Sequence, residues 1–256
     1  MKKGIYILPN GLTLCGMSCG FFAILFALAG KFEQAAWAII VANIFDGLDG
    51  WVARLTNSTS RFGVQLDSLS DFLSFPSATA VLLYTWQLQT VTPIRLGQAA
   101  ALLFVMCGAL RLARYNVQAE TAECRNFTGL PTPAAATTLA VCPLLFGNTP
   151  PPQIAFIMVF LTFLVGLLMV SDIRYRSLKE LNMKQRQPFW LLVVFAGLVF
   201  MLYAFQEWVI ACAAFGYMLW GLIEEIVRRV IHKPHPVPVH GKPVASPAPS
   251  GTPPRQ

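Results

Sequence analysis

Long apolar runs, separated by short charged or proline-rich breaks, dominate the hydrophobic pattern of this chain. A helix needs about 20 mainly apolar residues to cross the hydrocarbon layer of a membrane. Eight runs come close enough to that length to count as spans. They cover residues 12–29, 34–50, 63–87, 97–112, 133–147, 153–170, 188–204 and 207–227. The pattern predicts an all-α integral membrane protein of about eight transmembrane helices, in which 133–147 is the weakest span.

The first apolar run also resembles a signal peptide. Lys2 and Lys3 precede it, and Ala27-Leu28-Ala29 has the form of a cleavage site. Its roughly 18 apolar residues exceed the 7 to 15 that are usual for a signal peptide. We therefore expect this run to be retained as the first membrane helix.

Positive charges are distributed unevenly between the two sides of this topology. When the N-terminus is placed in the cytoplasm, all of the 19 Lys and Arg residues except Lys31 and Arg95 fall on the cytoplasmic side. Cytoplasmic loops of membrane proteins carry such an excess. The asymmetry predicts that both termini are cytoplasmic. We expect the protein to lie in the inner, or plasma, membrane.

Composition agrees with a membrane protein and limits the other classes. The chain is 55% hydrophobic and 12% charged, with a mean hydropathy of +0.58. Its net charge of +7 is spread over many loops, which favours anionic lipid headgroups over nucleic acid as a partner. Eight of the 18 prolines lie in residues 233–256. We expect a membrane domain over 1–232 and a disordered proline-rich tail over 233–256.

Acidic residues are concentrated at the ends of the second and third predicted spans. The chain has five aspartates, and four of them, Asp46, Asp49, Asp67 and Asp71, fall within 26 residues. An acid at membrane depth costs about 2.5 to 3.5 kcal/mol, so such a cluster indicates a function. At about 100° per residue, the first two acids share one helix face and the last two share another. The short polar link between the helices predicts that both faces meet at the cytoplasmic boundary.

Four carboxylates in one place require a counter-charge. Oxygen ligands without Cys or His favour hard cations such as Mg²⁺ or Mn²⁺, and a pair of divalent ions would neutralise the four acids. Gly50, Ala53 and Gly63 leave space beside the same faces, and Arg54 is suited to binding a diphosphate. Close helix packing by small residues, and the usual excess of cytoplasmic charge, are the alternative explanations of these positions.

These residues form a signature: Asp46-x-x-Asp49-Gly50-x-x-Ala53-Arg54, eight residues, then Gly63-x-x-x-Asp67-x-x-x-Asp71. It resembles that of the CDP-alcohol phosphotransferase family, and no position departs from it. The resemblance implies a metal-dependent membrane enzyme that transfers a phosphatidyl group from a CDP-linked lipid to an alcohol. It further implies that all four aspartates contact the metal ions and that Asp71 is also the general base. By the same resemblance, CDP is bound by Gly50, Ala53, Arg54, Gly63 and Ser60.

Four segments outside the signature, 70–84, 109–117, 127–136 and 168–179, resemble the bacterial and archaeal phosphatidylserine synthases of this family. This resemblance implies CDP-diacylglycerol and L-serine as substrates, and a homodimer. The run SFPSATA at 74–80 departs from the expected form SFGVAPA, which bears on the acceptor site. Glycerol 3-phosphate, inositol or an inositol phosphate is the alternative acceptor. A cation transporter is a more remote alternative, since its acids would be spread through the depth of the bilayer.

Two further pairs of residues are candidates for contacts with the lipid or the acceptor. Pro9 and Asn10 belong to the stretch PNGLT, which resembles a segment near the nucleotide-lipid in the family. Arg111 and Arg114 lie three residues apart at the cytoplasmic end of the fourth span, within reach of a lipid phosphate or a serine carboxylate. Ordinary topology signals are the alternative explanation of both arginines.

Overall fold

Helices form the regular structure of the described residues, which are 7–56, 60–120, 129–148, 150–171, 173 and 206–231 of the computed structural model. Within these ranges the α-helices are Ile7–Leu28 (α1), Phe32–Leu55 (α2), Arg61–Phe72 (α3), Ala78–Trp86 (α4), Ile94–Glu120 (α5), Thr132–Phe146 (α6), Gln153–Val170 (α7) and Gln206–Ile231 (α8). A π-helical turn at Leu73–Ser77 joins α3 to α4, and a short 3-10 turn at Leu88–Thr90 follows α4.

Among the described helices, α1, α2, α5, α7 and α8 are long and apolar enough to cross a membrane. Helix α6 is apolar but shorter, at 15 residues, and the third predicted span consists of α3, the π turn and α4 in succession. The prediction of an all-helical chain with several candidate membrane helices is confirmed for this part of the molecule. The number of spans and the orientation of the termini stay predictions. The predicted span 188–204 and the proline-rich tail lie outside the described residues.

The outward faces of these helices carry large apolar side chains. Phe21 is 51% exposed, Leu102 61% and Phe160 68%. A soluble protein rarely exposes so much apolar surface, because water would drive the patches together. In a bilayer, lipid tails cover the same surface, so this distribution agrees with a chain surrounded by lipid.

Two clusters of buried apolar side chains hold the helices together. One cluster joins α4, α5, α6, α7 and α8, with Phe104 and Leu139 among its fully buried members. The other joins α1, α2, α4, α6 and α8, and contains Ile39 and Leu82. Because α4, α6 and α8 contribute to both clusters, they connect the two halves of the bundle.

The third span is interrupted at Pro76, where the sequence departs from the expected form. Proline has no N–H to donate to the carbonyl oxygen four residues earlier, and the helix widens there into the π turn. The carbonyl oxygen of Phe72, which an ordinary residue 76 would have satisfied, accepts a hydrogen bond from the hydroxyl of Ser77 at 2.8 Å. The N–H of Ala78 bonds to the carbonyl of Leu73, five residues earlier. The wide turn therefore begins two residues after Asp71.

Helix α1 packs against α2, α3, α4 and the π turn. Gly20 permits a close approach, since a Cβ at this position would lie 2.5 Å from the Cα of Ser74. The buried hydroxyls of Ser70 and Ser74 donate to the carbonyl oxygens of Thr13 and Gly16, at 3.1 and 3.2 Å. These contacts fix α1 relative to the acid-bearing third span.

Candidate active site

Carboxylates from α2 and α3 converge in the structure. Asp46, Asp49 and Asp67 each contribute an oxygen to a group in which these atoms all lie within 4.8 Å of one another. Asp49 is buried and the other two are half-buried. The two acid-bearing helix faces therefore meet, which is the juxtaposition on which the sequence hypothesis depends.

Asp71 borders this three-carboxylate group. It lies one helical turn after Asp67, and its carboxyl group is in hydrogen-bond contact with that of Asp46. Asp71 is not itself a member of the set of three. The fourth acid of the signature thus lies beside the group, toward the π turn.

The donor set fits a divalent cation. A Mg²⁺ or Ca²⁺ ion has oxygen ligands at about 2.0 to 2.6 Å, so ligands on opposite sides of it are roughly 4 to 5 Å apart. The three carboxylate oxygens lie within 4.8 Å of one another, close enough to share one ion. Their mutual repulsion in a partly buried place calls for a positive charge between them. Asp46, Asp49 and Asp67 would together hold such an ion, and oxygen-only ligands favour a hard one.

A cavity of about 260 Å³ opens beside the carboxylates. It is lined by every residue that the family resemblance implies for CDP binding, and by Pro9 and Asn10. The lining residues are Pro9, Asn10, Thr13, Asp49, Gly50, Ala53, Arg54, Ser60, Gly63, Val64, Asp67 and Tyr115. One continuous space thus connects the acidic group with the small residues and with Arg54.

Gly50 and Gly63 have different surroundings in this cavity. A Cβ on Gly50 would meet only Nη1 of Arg54, at 3.6 Å, among the described atoms within 4 Å. Packing among the described residues therefore does not require glycine at this position, which borders the open space of the cavity. A Cβ on Gly63 would lie 3.1 Å from both Oδ1 of Asn10 and Oγ of Ser60. Gly63 thus also accommodates the neighbouring helix α1.

Ser60 directly precedes α3 and also lines the cavity. Its backbone is extended, and its Oγ accepts a hydrogen bond from the N–H of Gly63 at 3.0 Å, as in a typical helix N-cap. The cap uses the oxygen as an acceptor, so the hydroxyl proton is available to a ligand. Ser60 can therefore serve the helix and the cavity together.

Three lining residues were not singled out from the sequence: Thr13, Val64 and Tyr115. Thr13 donates a hydrogen bond from Oγ1 to Oδ2 of Asp49 at 2.7 Å, although the two residues are 36 positions apart. The only signal for Thr13 is its position one helical turn after Pro9 and Asn10, within the PNGLT stretch. Tyr115 similarly follows Arg111 by one turn of α5.

The two arginines of α5 have different positions. Arg111 interacts electrostatically with Asp71, and its Nη1 donates to Oγ1 of Thr132 on α6 at 2.8 Å. Its buried Nε has no hydrogen-bond partner among the described residues. Arg114 is half-buried, and neither arginine is among the residues lining the cavity. Arg111 is thus hydrogen-bonded to α6 and lies within electrostatic range of the fourth acid, Asp71.

The sequence profile described as CDP-alcohol phosphatidyltransferase matches residues 6–171, which is most of the chain and includes the whole signature. The chain belongs to the CDP-alcohol phosphatidyltransferase family. The activity that the signature implied, phosphatidyl transfer from a CDP-linked lipid, is therefore confirmed.

Individual members of the CDP-alcohol phosphatidyltransferase family share more than the signature with this chain. A CDP-diacylglycerol–serine O-phosphatidyltransferase of Helicobacter pylori is 38% identical over 203 residues, which are 77% of this chain and 82% of that protein. An archaetidylserine synthase of Methanothermobacter thermautotrophicus is 39% identical over 170 residues, 66% of this chain and 69% of that protein. A CDP-diacylglycerol–serine O-phosphatidyltransferase of Methanocaldococcus jannaschii is 37% identical over 174 residues, 68% of this chain and 75% of that protein.

Proposed function

We propose that this enzyme transfers the phosphatidyl group of CDP-diacylglycerol to the hydroxyl of L-serine, forming phosphatidylserine and releasing CMP. The observation that carries the proposal is the group of carboxylates beside a cavity lined by the signature residues. The relatives named for transfer to serine support the choice of acceptor. The position of Arg111 near Asp71 supports it further, because serine carries a carboxylate next to its hydroxyl.

The nucleotide end of the lipid substrate would occupy the 260 Å³ cavity. Arg54 offers a planar fork of N–H donors to the diphosphate, and Ser60 offers its hydroxyl. Gly50, Ala53 and Gly63 let the nucleotide approach the helix backbones. Pro9 and Asn10 would contact it from α1. Two divalent cations, Mg²⁺ or Mn²⁺, assigned to Asp46, Asp49, Asp67 and Asp71, would supply positive charge to the diphosphate and the departing CMP.

Asp71 is assigned the proton transfer. As general base it would accept the proton of the serine hydroxyl, whose oxygen then forms a bond to the lipid-side phosphorus as the bond to CMP breaks. Arg111 would bind the serine carboxylate through charge-assisted hydrogen bonds. Its hydrogen bond to Thr132 fixes the guanidinium on the side of α6, from where it attracts the carboxylate of the proposed base electrostatically. The acceptor is thereby presented with its hydroxyl toward Asp71.

The cellular placement follows from the solubility of the reactants. Serine and CMP are water-soluble, whereas both lipids stay in the bilayer, so the reaction requires a site at a membrane boundary. We assign that boundary to the cytoplasmic face of the inner, or plasma, membrane, and the charge asymmetry of the sequence supports the cytoplasmic side. We further propose a homodimer, on the family resemblance alone.

An acceptor competition tests the proposal. Purified enzyme in detergent, with Mg²⁺ or Mn²⁺ and CDP-diacylglycerol, is given labelled L-serine, glycerol 3-phosphate or inositol, and both CMP and labelled lipid are measured. We expect CMP release to depend on serine and to match the formation of phosphatidylserine. Glu33→Gln, at the opposite end of α2 from the aspartates, is the matched control and should retain activity. Efficient transfer to another alcohol with none to serine would refute the choice of acceptor.

A further inference from the structure

We infer that Thr13 is a positioning residue that holds Asp49 in the orientation required to bind a divalent cation. Its Oγ1 lies 2.7 Å from Oδ2 of Asp49, a length typical of a strong hydrogen bond to a carboxylate. Both side chains are 5% exposed. The inference rests on the metal-binding role proposed for the aspartates, and adds to it a residue outside the signature.

The geometry leaves Thr13 little freedom. Its hydroxyl also lies 3.1 Å from the carbonyl oxygen of Pro9 on the same helix. One hydroxyl proton points to one acceptor at a time, and the carboxylate is both the nearer and the more negatively charged of the two. Because Thr13 on α1 holds Oδ2, the orientation of the Asp49 carboxylate depends on α1 as well as on α2, the helix that carries it. An outer hydrogen bond of this kind orients a ligand before the cation arrives.

Helix α1 is itself held in place, which makes it a firm support for this bond. The hydroxyl of Ser70 donates to the backbone carbonyl of Thr13 at 3.1 Å. One turn further along, Ser74 donates to the carbonyl of Gly16 at 3.2 Å. The third span therefore fixes the backbone of Thr13, while the side chain of Thr13 fixes the ligand on α2. In this way a residue on the first helix connects Asp49 on α2 to the third span, which carries two other aspartates.

The test is direct Mn²⁺ binding, measured by electron paramagnetic resonance on purified protein in detergent without lipid substrate. Thr13→Val removes the hydroxyl and nearly keeps the shape, whereas Thr13→Ser keeps the hydroxyl. We expect Thr13→Val to weaken Mn²⁺ binding by about 10-fold or more, the usual effect of losing an outer hydrogen-bond partner. Thr13→Ser should bind within a few-fold of the parent. Ser18→Ala, which removes an exposed hydroxyl bonded to the Leu14 carbonyl on the same helix, is the control.

Unchanged Mn²⁺ affinity in a folded Thr13→Val protein would overturn the inference, and so would equal losses in the Val and Ser variants. If the Val variant does not fold, Thr13→Cys, a much weaker donor than Ser, takes its place. Equal affinities of the Cys and Ser variants would then refute the role. Absence of Mn²⁺ binding by the parent protein would overturn this inference together with the metal assignment. Normal Mn²⁺ binding without transfer to serine would leave the role of Thr13 standing and refute only the proposed acceptor.

Discussion

The crossing of α1 and the third span at Gly20 provides a sharp test of the packing behind the site. A Cβ on Gly20 would lie 2.5 Å from the Cα of Ser74, whereas carbon atoms in contact prefer about 3.5 to 4.0 Å. The obstacle is backbone, so it cannot turn aside as a side-chain tip would. In Gly20→Ala the two helices must therefore separate by about 1 Å at this point. Overpacking of this kind typically costs about 1 to 3 kcal/mol.

The same displacement should reach the active site, because Thr13 lies two turns from Gly20 on α1 and is bonded to Asp49. A shift of about 1 Å in a reacting geometry can lower the rate by about 100-fold. We therefore expect Gly20→Ala to lower both the thermal stability in detergent and the rate of CMP release. The hydrogen bonds from Ser70 and Ser74 to α1 should be weakened by the same separation.

Two other glycines supply matched controls. A Cβ on Gly11 of α1, or on Gly216 of α8, would meet nothing within 4 Å among the described atoms. Gly→Ala in an open helical position stabilises a helix by about 0.5 to 1 kcal/mol. Gly11→Ala should therefore melt no lower than the parent, and Gly216→Ala should keep both stability and activity. A Gly20→Ala protein as stable as Gly11→Ala would refute the close crossing.

Three further outcomes are expected. Asp71→Asn should lower kcat by about 10² to 10⁴, the usual contribution of a general base, and parental turnover in this variant would contradict the assigned role. Arg111→Lys keeps the charge but loses the planar fork, and a hydrogen bond to a charged group is worth about 1.5 to 3 kcal/mol. KM for serine should therefore rise by about 10-fold or more, while KM for CDP-diacylglycerol stays near the parental value. Equal changes in both KM values would contradict a serine contact. Chelation with EDTA should abolish CMP release and added Mn²⁺ should restore it, whereas activity that persists in excess chelator would refute the metal requirement.

The acidic face of each helix could be predicted from the sequence because it depends only on helical periodicity. Asp46 and Asp49, and likewise Asp67, fall on faces that any regular helix would give them. Their meeting required only a short link between the two helices. The role of Thr13 could not be predicted in this way, because its bond to Asp49 depends on how α1 packs against α2.

The structure also separates positions that the sequence left equivalent. Gly50 and Gly63 were both explained by a ligand or by packing, and only the structure shows that Gly50 has open space beside it while Gly63 meets Asn10 and Ser60. Arg111 and Arg114 were an undivided pair, and the structure shows that Arg111 donates a hydrogen bond to Thr132 on α6. Such distinctions depend on neighbours distant in the chain, which a local pattern does not contain.

The wide turn at Leu73–Ser77 determines how far α4 is rotated about the helix axis relative to α3 within the third span. A π turn accommodates one residue more than an α-helix over the same rise, and one residue corresponds to about 100° of rotation. The half that bears Asp67 and Asp71 is therefore rotated about the helix axis, relative to the half that packs in the core, by about 100° from where an uninterrupted α-helix would place it. Deleting Pro76 would remove the extra residue and swing Asp71 away from Asp46, or else turn α4 out of the bundle. Transplanting this signature into another helical scaffold would require carrying the extra residue along with the acids.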